Sequence, residues 1–329
     1  MRLFPDDAAC AAYLEKVRWS DGFVCQYCNW HGEPCRFPNR PSVVLRCRSC
    51  KRDTSLTADT VMQRTHTPIS IWFWAAYFVS SQTLGMSAVQ FQRQLGLKRY
   101  ETAFQILHKL RAAMVRPDRD CIGGVFPVEV DETWVGGQTR GEGRGRHHKT
   151  LVVAAIEERM RKDDDGKRDP RKALPRRGGL YAGRLRLQVA PDRSAKSLET
   201  FVLESVLPGT RITTDDWSGY DHLAERGYQL TQVAQRGDPE VTEKHLPLVH
   251  LVFGNLKTWL NGVHHGVSPQ HLQAYLNEFT FRFNRRFFPF NAFRSLLGIG
   301  VATMPTSYAA LYNARRHPKS PRGKTPIGN

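Results

Sequence analysis

The chain has 329 residues, 40% of them hydrophobic, which is enough for packed cores in two or three domains. No apolar run reaches the roughly 18 residues of a membrane span, and the N-terminal Met1-Arg-Leu-Phe-Pro-Asp-Asp lacks the apolar centre of a signal peptide, so a cytosolic protein is expected. Lys and Arg number 48 against 31 Asp and Glu, and a net charge of +17 suits a polyanionic partner, nucleic acid first.

Residues 1 to about 60 hold paired cysteines. Cys25-x2-Cys28 and Cys47-x2-Cys50 are separated by 18 residues. Each pair can hold one metal at a tight turn, and two such knuckles close a tetrahedral thiolate shell around structural Zn²⁺. In a cytosolic chain the seven cysteines are not expected to form a disulfide framework. Arg46, Arg48, Lys51 and Arg52 bracket the second knuckle, which predicts contact with DNA phosphates.

Residues 66 to 116 read as helical, with Ile71, Trp74, Ala75 and Phe78 at helical spacing. A short helix from Ser87 stops at Gly96, and another begins near Tyr100 after a three-residue turn. Val89, Leu95, Ala103, Phe104, Leu107 and Leu110 are the residues expected to pack the two together. The pattern fits a helix-turn-helix that places Arg99, Gln105, His108 or Lys109 near DNA; an ordinary helical hairpin is the alternative. Pro117 to Gly124 reads as a linker by its turn residues.

Beyond it, β-like runs at Val125–Val130, Thr150–Ile156, Gly179–Val189 and Thr210–Thr214 alternate with helical patterns, one of them opening at Ser194 as N-cap. That order predicts a mixed α/β layer fold. Residues 157–178 interrupt it as a basic insertion, and further basic stretches span Arg140 to Lys149 (Arg144, Arg146 and Lys149 among them) and Arg315 to Lys324. Such stretches commonly lie on phosphates. Two apolar strands end on carboxylates, Asp131 and Asp215. Converging carboxylates repel each other and persist when divalent metal sits between them, which points to two-metal phosphoryl transfer. Pro247 opens a last helical pattern on which His250 and Lys257 share one face, about 10 Å apart along the axis.

Taken together, Cys-x2-Cys with Arg46-Cys-Arg-Ser-Cys-Lys-Arg-Asp-Thr-Ser-Leu-Thr-Ala58, Val128-Glu-Val-Asp131-Glu-Thr-Trp-Val-Gly-Gly137, Thr214-Asp215-Asp-Trp-Ser-Gly-Tyr220 and Val267 to Arg286 resemble the bacterial insertion-sequence transposases of family fifteen-ninety-five over residues 15 to 290. The resemblance implies a zinc ribbon (1–60), a helix-turn-helix segment with linker (61–120), a DDE-type ribonuclease-H-like catalytic domain (121–300) and a basic tail (301–329). It also implies Asp131 and Asp215 as two members of the catalytic triad. The position that carries Glu in the family, seven residues before Lys257, holds His250 here; Glu240 and Glu243 just upstream are the alternatives. On this reading Asp131 bridges two Mg²⁺ ions, Asp215 holds one and His250 the other, and an imidazole at that place relatively favours Mn²⁺. Lys257 is expected to hold a phosphate or terminal base. Thr57-Ala-Asp59-Thr departs from the family's Thr-Ala-Gly-Thr.

The resemblance implies double-stranded DNA as partner (transposon ends and target), at least a dimer on DNA, and a cytoplasmic, nucleoid-associated location. Rival readings are a DNA-binding regulator or inactive relic using only the ribbon and helix-turn-helix, and a metal-dependent nuclease that does not transpose.

Overall fold

The computed structural model describes residues 4–37, 43–82, 85–116, 119–136, 149–160 and 179–304. Helix α1 (Asp7–Arg18) starts where the Asp6 side chain accepts from the Ala9 amide at 2.8 Å, an ordinary carboxylate N-cap. Strands β1 (Cys35–Arg36), β2 (Val44–Arg46) and β3 (Asp53–Ser55) form a small antiparallel sheet in that order. Arg18, in the last turn of α1, donates to the carbonyls of Ser55 and Leu56 at 3.1 and 2.7 Å and so fastens the ribbon to the helix.

Helices α2 (Ile69–Ser81), α3 (Ala88–Gln94) and α4 (Tyr100–Ala112) follow. In α2 the buried residues are Trp72, Phe73, Ala75, Ala76, Val79 and Ser80; of the face read from Ile71, Trp74, Ala75 and Phe78, Ala75 is buried and the other three are half-buried. Nearly every residue of this helix is apolar, so periodicity does not single out one face. Ser87 caps α3, but Val89 stands 43% exposed, and Phe91 buries in its place. The segment after Pro117 is not a free linker. Ile122 is buried, and it exchanges backbone hydrogen bonds with Ser205 and Leu207, both 2.8 Å.

The second half is an α/β layer. Strands β4 (Val128–Val135), β5 (Thr150–Met160), β6 (Leu180–Ala190), β7 (Arg211–Asp215) and β8 (Gln229–Val233) make one sheet in the order β6-β5-β4-β7-β8. The first three pair antiparallel, and β4-β7-β8 run parallel. β5 continues four residues into the expected insertion; residues 161–178 lie outside the described residues, as does the basic tail from 305. Helix α5 (Ala195–Ser205) covers one face, where Val128 and Val130 pack with Phe201 and Val202. On the other face lie α7 (Pro247–His264) and α8 (Pro269–Asn284), packed against Val135, Val152 and Leu187; a short helix, α6 (Pro239–His245), leads into α7. This is the mixed sheet with flanking helices of a ribonuclease-H-like domain.

Helix α9 (Pro289–Ala302) falls within the range read as catalytic, yet Phe293, Leu296 and Leu297 pack with Cys10, Leu14 and Phe73 of α1 and α2. The helical body is therefore built from both ends of the chain. Asp59, where the family pattern has Gly, takes φ 56, a left-handed conformation that Asp tolerates better than most residues.

Candidate active site and zinc site

In the ribbon, the four thiols of Cys25, Cys28, Cys47 and Cys50 offer sulfurs within 4.8 Å of one another. Sγ–Sγ separations of 3.6 Å (Cys25–Cys50) and 3.7 Å (Cys28–Cys47) match the edge, about 3.8 Å, of a tetrahedron with Zn–S bonds of about 2.3 Å. They are far too long for disulfides. The two knuckles are built alike. Asn29 N donates to Cys25 O and Lys51 N to Cys47 O, and both Asn29 and Lys51 have positive φ. Cys35 is exposed on β1, and Cys10 is buried in α1, apart from the quartet.

The two strand carboxylates singled out by the sequence are brought together by the pairing of β4 with β7. Val128 pairs with Ile212 and Glu129 with Thr213; two residues further on, the same register sets Asp131 beside Asp215 on one face. Asp131 is not at a strand end, because β4 continues to Val135 in antiparallel pairing with β5. It is the parallel partner β7 that stops, at Asp215, and this opens the sheet beside Asp131. Odd-numbered residues of β4 face α7. The buried Glu129 carboxylate accepts from the amides of Leu248 (2.9 Å) and Val249 (2.8 Å), satisfying the first turn of a helix that has no side-chain cap of its own. That bond fixes α7 so that His250 Nε2 lies 3.1 Å from Asp131 Oδ2, and Lys257 Nζ donates to Thr133 Oγ1 at 2.7 Å. His250 and Lys257 thus lie along one helix face against one strand, as their spacing predicted.

Sequence reasoning missed Glu132, whose carboxylate joins those of Asp131 and Asp215 within 4.8 Å. Tyr220 donates to it at 2.5 Å, and Arg193 ion-pairs with it. Nothing local distinguishes Glu132, because its partners lie some 60 and 90 residues away. Burial raises its carboxyl pKa, with Asp131 adding to the rise and Tyr220 and Arg193 opposing it. Asp215 is pushed up to about 6, first by burial and then by Glu132 and Asp131, against Arg193. Its Oδ1 is buried and accepts no hydrogen bond among the described residues. Three hard oxygen donors, with one buried oxygen left over, fit a divalent cation. Glu240 and Glu243 on α6 lie outside this carboxylate cluster; Glu243 shares a recess with His250 and Leu251. Lys257 has its pKa lowered by burial and by Lys149, with Asp131 opposing.

Residues 122–284 match the ISXO2-like transposase domain, and residues 5–53 match the transposase zinc-ribbon domain. The chain belongs to the IS1595 transposase family. No curated protein and no solved structure matches it significantly.

The cationic residues of the transposase divide by exposure. Arg48, Lys51, Arg52, Arg99 and Lys149 are exposed. Arg46 is tied to Asp53 at 2.6 Å, and Lys109 is half-buried over the Trp72 ring. His108 cannot reach DNA: it is 3% exposed, enclosed by Phe104, His271 and Tyr275, and burial lowers its pKa to about 2. On α4 it falls on the face that meets α8, which the sequence alone did not reveal. Arg144 and Arg146 lie outside the described residues. Among the described residues no helix is long and apolar enough to cross a membrane.

Proposed function

We propose that this transposase binds the terminal inverted repeats of its own insertion sequence, as at least a dimer on DNA, and catalyses metal-dependent strand cleavage and strand transfer. The observation that carries the reading is the placement of Asp131 beside Asp215, with His250 Nε2 3.1 Å from Asp131. Two Mg²⁺ or Mn²⁺ ions held there would activate water or a 3′-hydroxyl and stabilise the leaving oxygen. Asp131, with Asp215 on one side and His250 on the other, would hold the metal together with those two residues. Lys257, held by Thr133 on the same face, has its ammonium in place to take a phosphate beside the reacting one. Glu132 buttresses the pair from the opposite face of β4 through Tyr220 and Arg193.

The zinc ribbon, with Arg48, Lys51 and Arg52 exposed around its second knuckle, and α4, with Arg99 at its exposed N-cap, supply backbone contacts to the DNA ends. The test uses purified protein and a duplex carrying the repeat that flanks the gene. His250→Glu should retain metal-dependent nicking, and His250→Ala should lose most of it while end binding persists in both. A fully active His250→Ala protein paired with a dead Glu243→Gln protein moves the third ligand to α6.

A further inference from the structure

Arg193 stands where the transposase chemistry needs an explanation for excess charge. Three carboxylates, those of Asp131, Glu132 and Asp215, converge within 4.8 Å, and Arg193 meets two of them. It ion-pairs with Glu132 and lies 3.7 Å from Asp215 Oδ2. Its position is built. Asp192 accepts from the Ser194 amide (3.0 Å) and from the hydroxyls of Ser194 (2.5 Å) and Ser197 (2.7 Å), which fixes the turn between β6 and α5. The guanidinium stacks 4.2 Å over the Trp217 ring, and the Trp217 indole donates back to the Arg193 carbonyl at 3.0 Å. One edge of the side chain is buried, with Nε lacking a hydrogen-bond partner among the described residues, while 31% of it remains exposed.

We propose that Arg193 is the resident cation of the active site: it holds Glu132 and Asp215 together before metal enters, competes with that metal, and then offers its open edge to a DNA phosphate. The inference rests on the metal-site reading above and adds a phosphate contact to it. A planar guanidinium already stacked on an aromatic ring loses little freedom in taking a phosphodiester. A purely architectural role, in which Arg193 only pins the turn to Trp217, makes the opposite prediction for metal. Removing a pin loosens the ligands and weakens binding; removing a competing charge strengthens it.

The experiment titrates Mn²⁺ into zinc-loaded full-length protein by calorimetry and, separately, measures single-turnover nicking of the repeat duplex at saturating Mn²⁺. Arg193→Met keeps the stem on Trp217 and deletes the charge. It should bind Mn²⁺ about tenfold tighter yet nick DNA about a hundredfold more slowly. Arg193→Lys should return Mn²⁺ affinity toward the wild type and recover part of the rate. Unchanged or weaker Mn²⁺ binding by Arg193→Met overturns the proposal. Asp215→Ala separates the two readings: if it loses Mn²⁺ affinity while Arg193→Met gains none, only the Arg193 role fails. If Asp215→Ala binds Mn²⁺ as the wild type does, the metal site itself fails, and this proposal with it.

Discussion

Burial beside Glu132 and Asp131 lifts the Asp215 carboxyl from its ordinary 3.8 to about 6. Between those values the folded, metal-free chain keeps a proton that the unfolded chain has released. The stability carried by that proton is therefore present at low pH and is lost as pH rises through about 6. At most about 3 kcal/mol is at stake, the equivalent of about two pKa units. Urea melts of metal-free wild type minus Asp215→Asn should show a difference that grows between pH 4 and 7, and Mg²⁺ should abolish it. A difference that stays flat across this range contradicts the charge account. At this scale Asp131 and Asp215 were legible because each sits on an apolar strand, and His250 with Lys257 because helical spacing is arithmetic. Glu132 and Arg193 were not, since a side chain whose partners come from distant strands and loops leaves no local pattern.

Helix α7 owes its position to a residue of another element. Its first amides are satisfied by Glu129, from the centre of the sheet, and not by a cap within its own sequence. Glu129→Ala would leave those buried amides unpaired, at a cost of about 2–4 kcal/mol. It should also slow nicking, because His250 and Lys257 ride on the displaced helix. Thermal melts and the nicking assay check both; an unaltered melting temperature contradicts the assigned docking role. The alternation of strands with helices was legible from β4 to β7, within two or three residues at most ends. β8 and α6 were not: Gln229–Val233 mixes polar residues with only two aliphatic ones, and α6 buries none of its residues. The buried face of α2 escaped in part for the opposite reason, an excess of apolar residues on every side.

Across the whole molecule, the helical body and the catalytic layer are joined by a buried ion pair. Arg111 of α4 donates to Glu278 of α8 at 2.7 Å, both side chains 1% exposed, and the guanidinium lies 3.9 Å from the Tyr275 ring. Charged residues so deep are strongly destabilised when one partner is lost, by about 3–5 kcal/mol, whereas replacing both with apolar residues can be tolerated. Arg111→Met should therefore lower the melting temperature sharply, and Arg111→Met with Glu278→Leu should recover much of the loss. A double variant no more stable than the single one contradicts the pairing account. This joint was invisible in the sequence, where Arg111 and Glu278 lie 167 positions apart. The same joint buries His108, which the helix-turn-helix pattern had offered to DNA. The wider organisation was readable because the cysteine knuckles and strand carboxylates are local signals. The return of α9 to pack on α1 and α2 was not, since helical periodicity names an apolar face without naming its partner.

The central claim is that Asp215, at the open end of β7, is a metal ligand, and that its exposed neighbour Asp216 is not. Single-turnover nicking of the repeat duplex in Mg²⁺ compares Asp215→Ala with Asp216→Ala directly. The predicted result is a dead Asp215→Ala that still binds the DNA end, beside an active Asp216→Ala. An active Asp215→Ala with a dead Asp216→Ala would contradict the site as built here.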